Sequence, residues 1–225
     1  MLKFGGTSIS SPKDIRDVAK SVISFSKNNQ IVVVCSAVGG VTDDLILMSR
    51  MIEQRKKNDV TKTLDKIIKK HKQLANQTIK NSKIKKQLLR KLDEDVSELQ
   101  ELVNGLTLLK EVSLRSLDYL VSFGERLSDD LVSYALQDLK KKSSALNGKE
   151  VGIITDSNFG ESRPLMDTTR IRISKTLGSL LSKKIIPVVG GFAGADQHGN
   201  ITTFGRGGSD YTATIIASCI NADEG

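Results

Sequence analysis

The chain repeats one order of segments: a short apolar run, a glycine-bearing loop, and then a stretch with helical periodicity. The clearest run, residues 31–35 (Ile-Val-Val-Val-Cys), is mostly β-branched and has no alternating polar residues, which is typical of a strand buried on both faces. Further strands are predicted at residues 1–4, 152–155, 185–189 and 201–204. Strands that alternate with helices favour a mainly parallel sheet, so we predict an α/β three-layer sandwich.

Helix-start signals follow several of the glycine loops. Ser11 can cap a helix over residues 12–27, because Pro12 suits the first helical position. A helix over residues 116–139 carries Gly124 in its middle, which violates helix propensity and indicates a functional position. Other helices are predicted to begin near Thr42 and to cover residues 168–182 and 209–220.

The basic charge is concentrated in one segment. The net charge is +8, and residues 50–110 contain 16 Lys and Arg against 8 Asp and Glu, so this segment holds the whole surplus. Such a surplus can indicate nucleic-acid binding, but the segment has no aromatic residue on which bases could stack. Its apolar residues recur at helical spacing. We therefore predict a helical lobe at residues 50–115 with a solvated lysine face, His71 at its surface, and no nucleic-acid partner.

Several protein classes are excluded by what the sequence lacks. The longest apolar run, residues 31–35, is far too short to span a membrane, and the first residues lack an apolar segment, so we expect no secretory signal. Two cysteines, Cys35 and Cys219, cannot build a disulfide framework and are predicted to be small buried hydrophobic residues. The two histidines are poorly placed for a metal site, so no metal ligands are predicted. We expect a cytoplasmic protein without a membrane partner.

Four glycine-bearing loops follow predicted strands, at residues 5–6, 39–40, 190–194 and 205–208. In an open α/β sheet such loops line the crevice at the carboxyl ends of the strands. Glycine lets backbone N–H groups approach a ligand closely, and helix N-termini favour anions. The pattern indicates a phosphate-bearing ligand, although neither the P-loop nor the dinucleotide-binding fingerprint is present.

Three motifs carry a family resemblance: K-F-G-G-T-S at residues 3–8, S-F-G-E-R at residues 122–126, and F-G-R-G-G-S-D-Y-T-A at residues 204–213. In this order and spacing they resemble the aspartate kinases of the amino-acid-kinase family. The resemblance covers nearly the whole chain and is weakest in the basic segment. It implies a mainly parallel sheet between helices, and phosphoryl transfer from MgATP to the side-chain carboxylate of L-aspartate. That reaction opens the aspartate-derived pathway to lysine, threonine and methionine.

The resemblance also implies roles for residues at the phosphate. Lys3 would be the cation at the transferring phosphoryl group, and Asp210 would orient it, although a carboxylate in the first turn of a helix is favourable in any case. The remaining phosphate and ATP contacts would come from backbone amides and one hydroxyl-bearing residue: Gly5, Gly6, Gly207, Gly208 and Ser209. Mg²⁺ would arrive on the ATP phosphates.

On the aspartate side, the resemblance implies that Arg206 grips a substrate carboxylate with its guanidinium fork. Glu125 would accept from the substrate ammonium. Ser36 and Thr42 match the family's substrate-loop hydroxyls, but both are equally well explained as helix caps. Thr7 would contact substrate or cap its own turn. The family also suggests a homodimer.

Two departures from the family pattern affect these expectations. Residues 189–192 read Val-Gly-Gly-Phe where typical members have Val-Thr-Gly-Phe. The family segment that supplies much of the adenine and ribose site does not follow the last motif. We therefore expect residues 1–225 to be the N-terminal portion of a catalytic domain, truncated at its C-terminus, with weak aspartate binding and little turnover. The alternatives are another enzyme of the amino-acid-kinase family, and a non-catalytic aspartate-binding or assembly fragment.

Overall fold

The structure is a computed structural model that describes residues 1–223. Its strands in chain order are β1 (Leu2–Phe4), β2 (Val33–Cys35), β3 (Ser143–Leu146), β4 (Ile154–Thr155), β5 (Ile186–Gly190), β6 (Ala193–Asp196) and β7 (Ile201–Thr203). Its α-helices are α1 (Pro12–Phe25), α2 (Val41–Glu53), α3 (Lys57–Thr78), α4 (Ser82–Leu109), α5 (Leu114–Asp138), α6 (Gly148–Val151), α7 (Met166–Ser182) and α8 (Gly208–Ile220). A 3₁₀ turn covers Gly6–Ile9.

A four-stranded sheet in the order β1-β2-β5-β3 is parallel throughout, which confirms the predicted sheet type. Lys3 lies opposite Val34, and Val34 lies opposite Val189. This register brings the carboxyl ends of β1, β2 and β5 to one edge, where the loops that follow these strands meet. The cavity described below lies at that edge.

Helices cover both faces of this sheet. Val33, Cys35 and Val188 belong to an apolar cluster that includes the buried faces of α1 to α5. Their neighbours Val32 and Val34 point the other way and pack with residues of α7 and α8. The alternation explains why the β2 sequence is apolar at every position: each face of the strand is covered. Cys35 and Cys219 are free and buried, as predicted.

A second sheet, in the order β4-β6-β7, was not predicted. β4 and β6 are parallel, whereas β6 and β7 are antiparallel. β3 and β6 were also missed, because their sequences, Ser-Ser-Ala-Leu and Ala-Gly-Ala-Asp, lack the β-branched residues that mark strands. Pairing with neighbouring strands, not local propensity, makes these segments extended.

The basic segment consists of two long helices, α3 and α4, whose apolar residues pack into the main core while most of their lysines stay at the surface. The prediction of helices with a solvated lysine face is confirmed. The predicted surface position of His71 is wrong: its side chain is 1% exposed, and its Nδ1 lies 2.8 Å from the Ile67 carbonyl oxygen. His71 follows Ile67 by four residues and so shares its buried face. Burial lowers the pKa of His71 to about 4.

No helix between residues 1 and 223 is both long and apolar enough to cross a membrane.

Candidate active site

A cavity of about 540 Å³ opens where the β1 and β2 edge meets α2, α5 and the loop between β7 and α8. It collects residues of the first and third motifs, together with Val121, which directly precedes the second motif. The residues singled out in the sequence that line it are Lys3, Ser36, Thr42, Arg206, Gly207, Gly208, Ser209 and Asp210.

Lys3 and Asp210 form an ion pair at the cavity rim. The Lys3 Nζ lies 2.6 Å from the Asp210 Oδ1, with 28% of the lysine side chain and 71% of the aspartate side chain exposed. Lys3 projects from β1, and Asp210 lies in the first turn of α8. Arg206, in the loop before α8, is exposed at the same rim. The arrangement places two cations and the N-terminus of a helix around one space, which favours an anionic ligand.

Gly6 lets two of the glycine loops touch. A Cβ at Gly6 would lie 2.5 Å from the Ala37 carbonyl oxygen, so only glycine fits without movement of the backbone. The Gly39 N–H donates to the Gly6 carbonyl at 3.2 Å, which ties the loop after β2 to the loop after β1. Gly5, Gly6 and the exposed Thr7 are not among the residues that line the cavity.

The β2–α2 loop presents the two predicted hydroxyl residues. The Ser36 N–H donates to the Phe4 carbonyl at 3.1 Å, and the Ser36 carbonyl accepts from the Ser128 hydroxyl at 2.7 Å. Gly40, not Thr42, is the cap of α2, with a φ of 80°. The capping alternative for Thr42 is therefore wrong, and its side chain lies in the first turn of α2 beside the cavity.

Glu125 is brought close to the same loop but is not placed on the large cavity. It is 4% exposed, and its Oε1 accepts from the Ala37 N–H at 3.2 Å. Its Oε2 is buried without a hydrogen-bond partner among the described residues. Glu125 lines a separate space of about 30 Å³ beside Gly190 and Gly191. Burial raises the pKa of Glu125 to about 8, against the opposing effect of the Ala37 hydrogen bond.

Gly124 explains how α5 approaches this loop. A Cβ at Gly124 would lie 2.9 Å from the Ala37 Cβ and 3.6 Å from the Thr42 Oγ1. The mid-helix glycine therefore serves the close packing of α5 against the loop after β2, whereas its position in the sequence indicated a functional role.

Asp118 is a cavity residue that the sequence analysis missed. Its Oδ2 accepts from the N–H groups of Gly160 and Thr203 at 2.9 Å each, and its Oδ1 accepts from the Thr203 hydroxyl at 2.7 Å. Burial raises the pKa of Asp118, although these hydrogen bonds act in the opposite direction. Asp118 fixes the end of β7, from which Arg206 follows. Its spacing along α5 could have identified it. Asp118 precedes the buried Val121 and Glu125 by three and seven residues, so it lies on the same helical face.

Within residues 1–223 there is no group of three or more His, Cys, Asp or Glu side chains that could hold a metal ion.

Comparison with known proteins gives a consistent result. Aspartokinase 1, chloroplastic, of Arabidopsis thaliana is 31% identical over the whole of this chain, which spans 38% of that protein. E. coli aspartokinase III in complex with lysine and aspartate superposes with a TM-score of 0.89 at 26% identity, over 99% of this chain and 47% of that one. The same enzyme in complex with aspartate and ADP gives a TM-score of 0.88 at 25% identity.

The chain thus spans less than half the length of these relatives. The sequence pattern of the amino acid kinase family matches residues 1–224, and it agrees with the parallel sheet, the converging glycine loops and the cationic rim. The chain belongs to the amino acid kinase family.

Proposed function

We propose that this chain carries the aspartate site, and part of the ATP site, of an aspartate kinase, which transfers the γ-phosphoryl group of MgATP to the side-chain carboxylate of L-aspartate. The observation that carries the proposal is the cavity itself, because Lys3, Arg206 and Asp210 surround one space with the hydroxyl residues of the β2–α2 loop. The relatives and the solved structures compared above are aspartokinases.

In this reaction a carboxylate oxygen of aspartate attacks the γ-phosphorus, the bond to the β,γ-bridging oxygen breaks, and ADP leaves with that electron pair. The nucleophile is already ionised at neutral pH, so the protein needs no general base. What the transition state requires is neutralisation of the charge on the equatorial oxygens. Lys3 supplies that charge, and Asp210 at 2.6 Å holds the ammonium in place.

The residues on the phosphate side fit a nucleotide. α8 begins at Gly208, and Gly207 has a φ of 74° with no atom within 4 Å of its added Cβ, so the backbone there is open to a ligand. We assign the γ-phosphate to the amides of Gly207 and Ser209, and to the loop of Gly5 and Gly6; the Gly208 N–H donates to the Gly205 carbonyl at 3.1 Å, so Gly208 would serve by close backbone approach. Mg²⁺ carried by the nucleotide supplies further neutralisation when bound.

On the aspartate side, Arg206 would bind a substrate carboxylate, and Ser36 and Thr42 would donate hydroxyl hydrogen bonds. Thr7 is exposed next to Gly6 and would reach substrate only from outside the cavity. Glu125 would accept from the substrate ammonium through its unpartnered Oε2. This contact requires the small space beside Gly190 to join the main cavity when substrate binds.

A coupled assay with MgATP and L-aspartate, in which hydroxylamine traps the acyl phosphate, tests the proposal. We expect at most a weak signal, because the ATP site is incomplete, and we expect Lys3→Ala to abolish it, in line with the loss of a group that stabilises developing charge. If the assay is silent but L-aspartate still raises the melting temperature, the chain is a substrate-binding portion without a complete ATP site. Silence in both measurements, or preference for another carboxylate in a substrate panel, contradicts the proposal.

The proposal also includes a cellular location and an oligomeric state. We infer a cytoplasmic homodimer, supported by two free, buried cysteines and by the likeness to aspartokinases. Light scattering of the purified chain tests the dimer, and a monomeric mass at all concentrations would refute it for these residues.

A further inference from the structure

A hydrogen bond joins the basic lobe to the loop after β2, which borders the candidate site. The Lys70 Nζ, on α3, donates to the Gly39 carbonyl at 2.6 Å. Gly39 lies between Ser36 and Thr42, in the loop that presents both hydroxyl residues to the cavity. Lys70 itself does not line the cavity, and its side chain is half-buried between α3 and the loop.

Gly39 is held through both of its backbone polar groups. Its carbonyl accepts from Lys70, while its N–H donates to the Gly6 carbonyl at 3.2 Å. The Gly6 carbonyl also accepts from the Ser10 hydroxyl at 2.6 Å. A single chain of hydrogen bonds therefore runs from the basic lobe through the β2–α2 loop to the loop after β1.

A second lysine of the lobe reaches the same element. The Lys66 Nζ lies 2.8 Å from the Asp44 Oδ1 in the first turn of α2. Lys66 and Lys70 are four residues apart and so share one face of α3. Lys66 thus pairs with a carboxylate of α2, whereas the partner of the Lys70 ammonium is the Gly39 carbonyl of the loop.

From this geometry we propose that Lys70 is a positioning residue: it fixes the Gly39 peptide so that Ser36 and Thr42 are held in their substrate-binding arrangement. The proposal rests on the proposed function only for the identity of the substrate. It gives the basic lobe a role in the site, in place of a nucleic-acid surface. A hydrogen bond from a charged donor is about twice as strong as a neutral one, so its loss should be measurable.

The test compares three variants of this chain. Lys70→Met keeps most of the side-chain stem and removes the donor, Lys70→Arg restores a charged donor, and Lys69→Met removes a neighbouring exposed lysine as a matched control. Two quantities are measured: amide hydrogen exchange of peptides covering residues 36–44 without ligand, and the dissociation constant for L-aspartate by titration calorimetry.

We expect Lys70→Met to speed exchange in residues 36–44 roughly tenfold and to weaken L-aspartate binding by about three- to tenfold, with exchange elsewhere unchanged. Lys70→Arg should recover most of both effects, and Lys69→Met should show neither. Unchanged exchange and unchanged aspartate affinity in Lys70→Met would overturn the proposal, as would equal effects in Lys69→Met.

The two proposals fail separately. If the unsubstituted chain does not bind L-aspartate but Lys70→Met still loosens residues 36–44 and Lys70→Arg restores them, the proposed substrate is wrong and the positioning role stands. If aspartate binds and no variant changes the loop, the substrate stands and the positioning role is refuted.

Discussion

The rim of the cavity and the buried face of α5, which we call the α5 wall although Asp118 lines the cavity and Glu125 does not, hold charge in opposite ways. At the rim, Lys3 and Asp210 form an ion pair that remains open to water. On α5, Asp118 and Glu125 are 1% and 4% exposed, and neither has a cationic partner among the contacts described above. Exposed ion pairs contribute little to stability, whereas buried carboxyl groups are expensive unless hydrogen bonds or protonation compensate them. The rim charges are therefore accessible to a ligand, whereas the carboxyl groups of the α5 wall are buried within the fold.

The α5 wall continues this pattern beyond the cavity. Asp129 and Asp130 are both buried, and burial is the main cause that raises the pKa of each, to about 7 for Asp130. Arg126 is directed away from Glu125 and bonds Asp95 and Glu98 on α4, at 2.6 and 2.7 Å. The nearest cation along the chain is thus engaged elsewhere, which leaves Glu125 without a counter-charge.

The largest effect should come from Asp118→Ala. The variant leaves three donors, from Gly160 and Thr203, without their acceptor, and each buried unsatisfied group costs about 1–3 kcal/mol. We expect the free energy of unfolding to fall by about 4 kcal/mol in urea denaturation. Asp210→Ala at the rim is the matched control, and equal losses in the two variants would end the contrast between rim and wall.

The next effect concerns Glu125 and pH. Its pKa is raised to about 8 in the folded state, so between pH 5 and pH 7.5 the folded protein holds a proton that the unfolded chain releases. Stability from this group is therefore present at low pH and is lost as pH rises. We expect Glu125→Gln to remove a decline of about 3 kcal/mol over that range. Parallel pH profiles of the two proteins would contradict the assignment.

Glu125 also gives a ligand prediction, with the opposite dependence on pH. If its ionised form accepts the ammonium of aspartate, affinity for L-aspartate should rise as pH increases towards 8 and be lost in Glu125→Gln. Titration calorimetry between pH 6 and pH 8.5 measures this, and an affinity independent of pH would exclude Glu125 as the ammonium partner.

Gly5 and Gly6, in the loop after β1, differ in how closely other atoms approach their backbone. A Cβ at Gly6 would lie 2.5 Å from the Ala37 carbonyl, whereas the nearest atom to a Cβ at Gly5 is the Lys3 Nζ at 3.9 Å. We expect Gly6→Ala to lower the free energy of unfolding by about 2 kcal/mol and Gly5→Ala to change it by less than about 0.5 kcal/mol. Thermal and urea unfolding measure both, and the reverse order would refute the packing argument.

The smallest effect is expected for the Lys3–Asp210 pair itself. A double-mutant cycle with Lys3→Ala and Asp210→Ala should give a coupling in unfolding free energy below about 1 kcal/mol, and 0.5 M salt should reduce it further. Catalysis should nevertheless depend strongly on Lys3. A coupling of several kcal/mol would mean that the rim charges, like those of α5, are structural.

Much of the fold followed from local sequence. The β-branched run that became β2, the helix after Pro12, and the glycine loops at strand ends all have signals within a few residues. β3 and β6 do not, because small residues become strands there only through pairing with β5 and with β4 and β7.

The residues of the site also differ in whether the local sequence identifies them. Lys3, Arg206 and Asp210 lie in recognisable glycine motifs, and the cavity brings them together. Asp118 lies in an ordinary helical sequence, and its importance depends on donors from Gly160 and Thr203 that only the folded chain supplies. His71 could have been placed correctly, because it shares a helical face with Ile67 and Leu64. For a polar residue on an apolar helical face, the position along the helix predicts burial better than the polarity of the side chain does.

The Lys3–Asp210 pair also has a consequence for the order of folding. β1 and α8 lie near opposite ends of the described chain, and β2, which holds β1, pairs on its other edge with the late strand β5. Pairing between segments so far apart in sequence slows folding, because the chain loses conformational entropy before the new contacts stabilise it. We therefore predict that the rim is assembled late: helical signal should return early in a refolding experiment, and protection by L-aspartate only in the slowest phase.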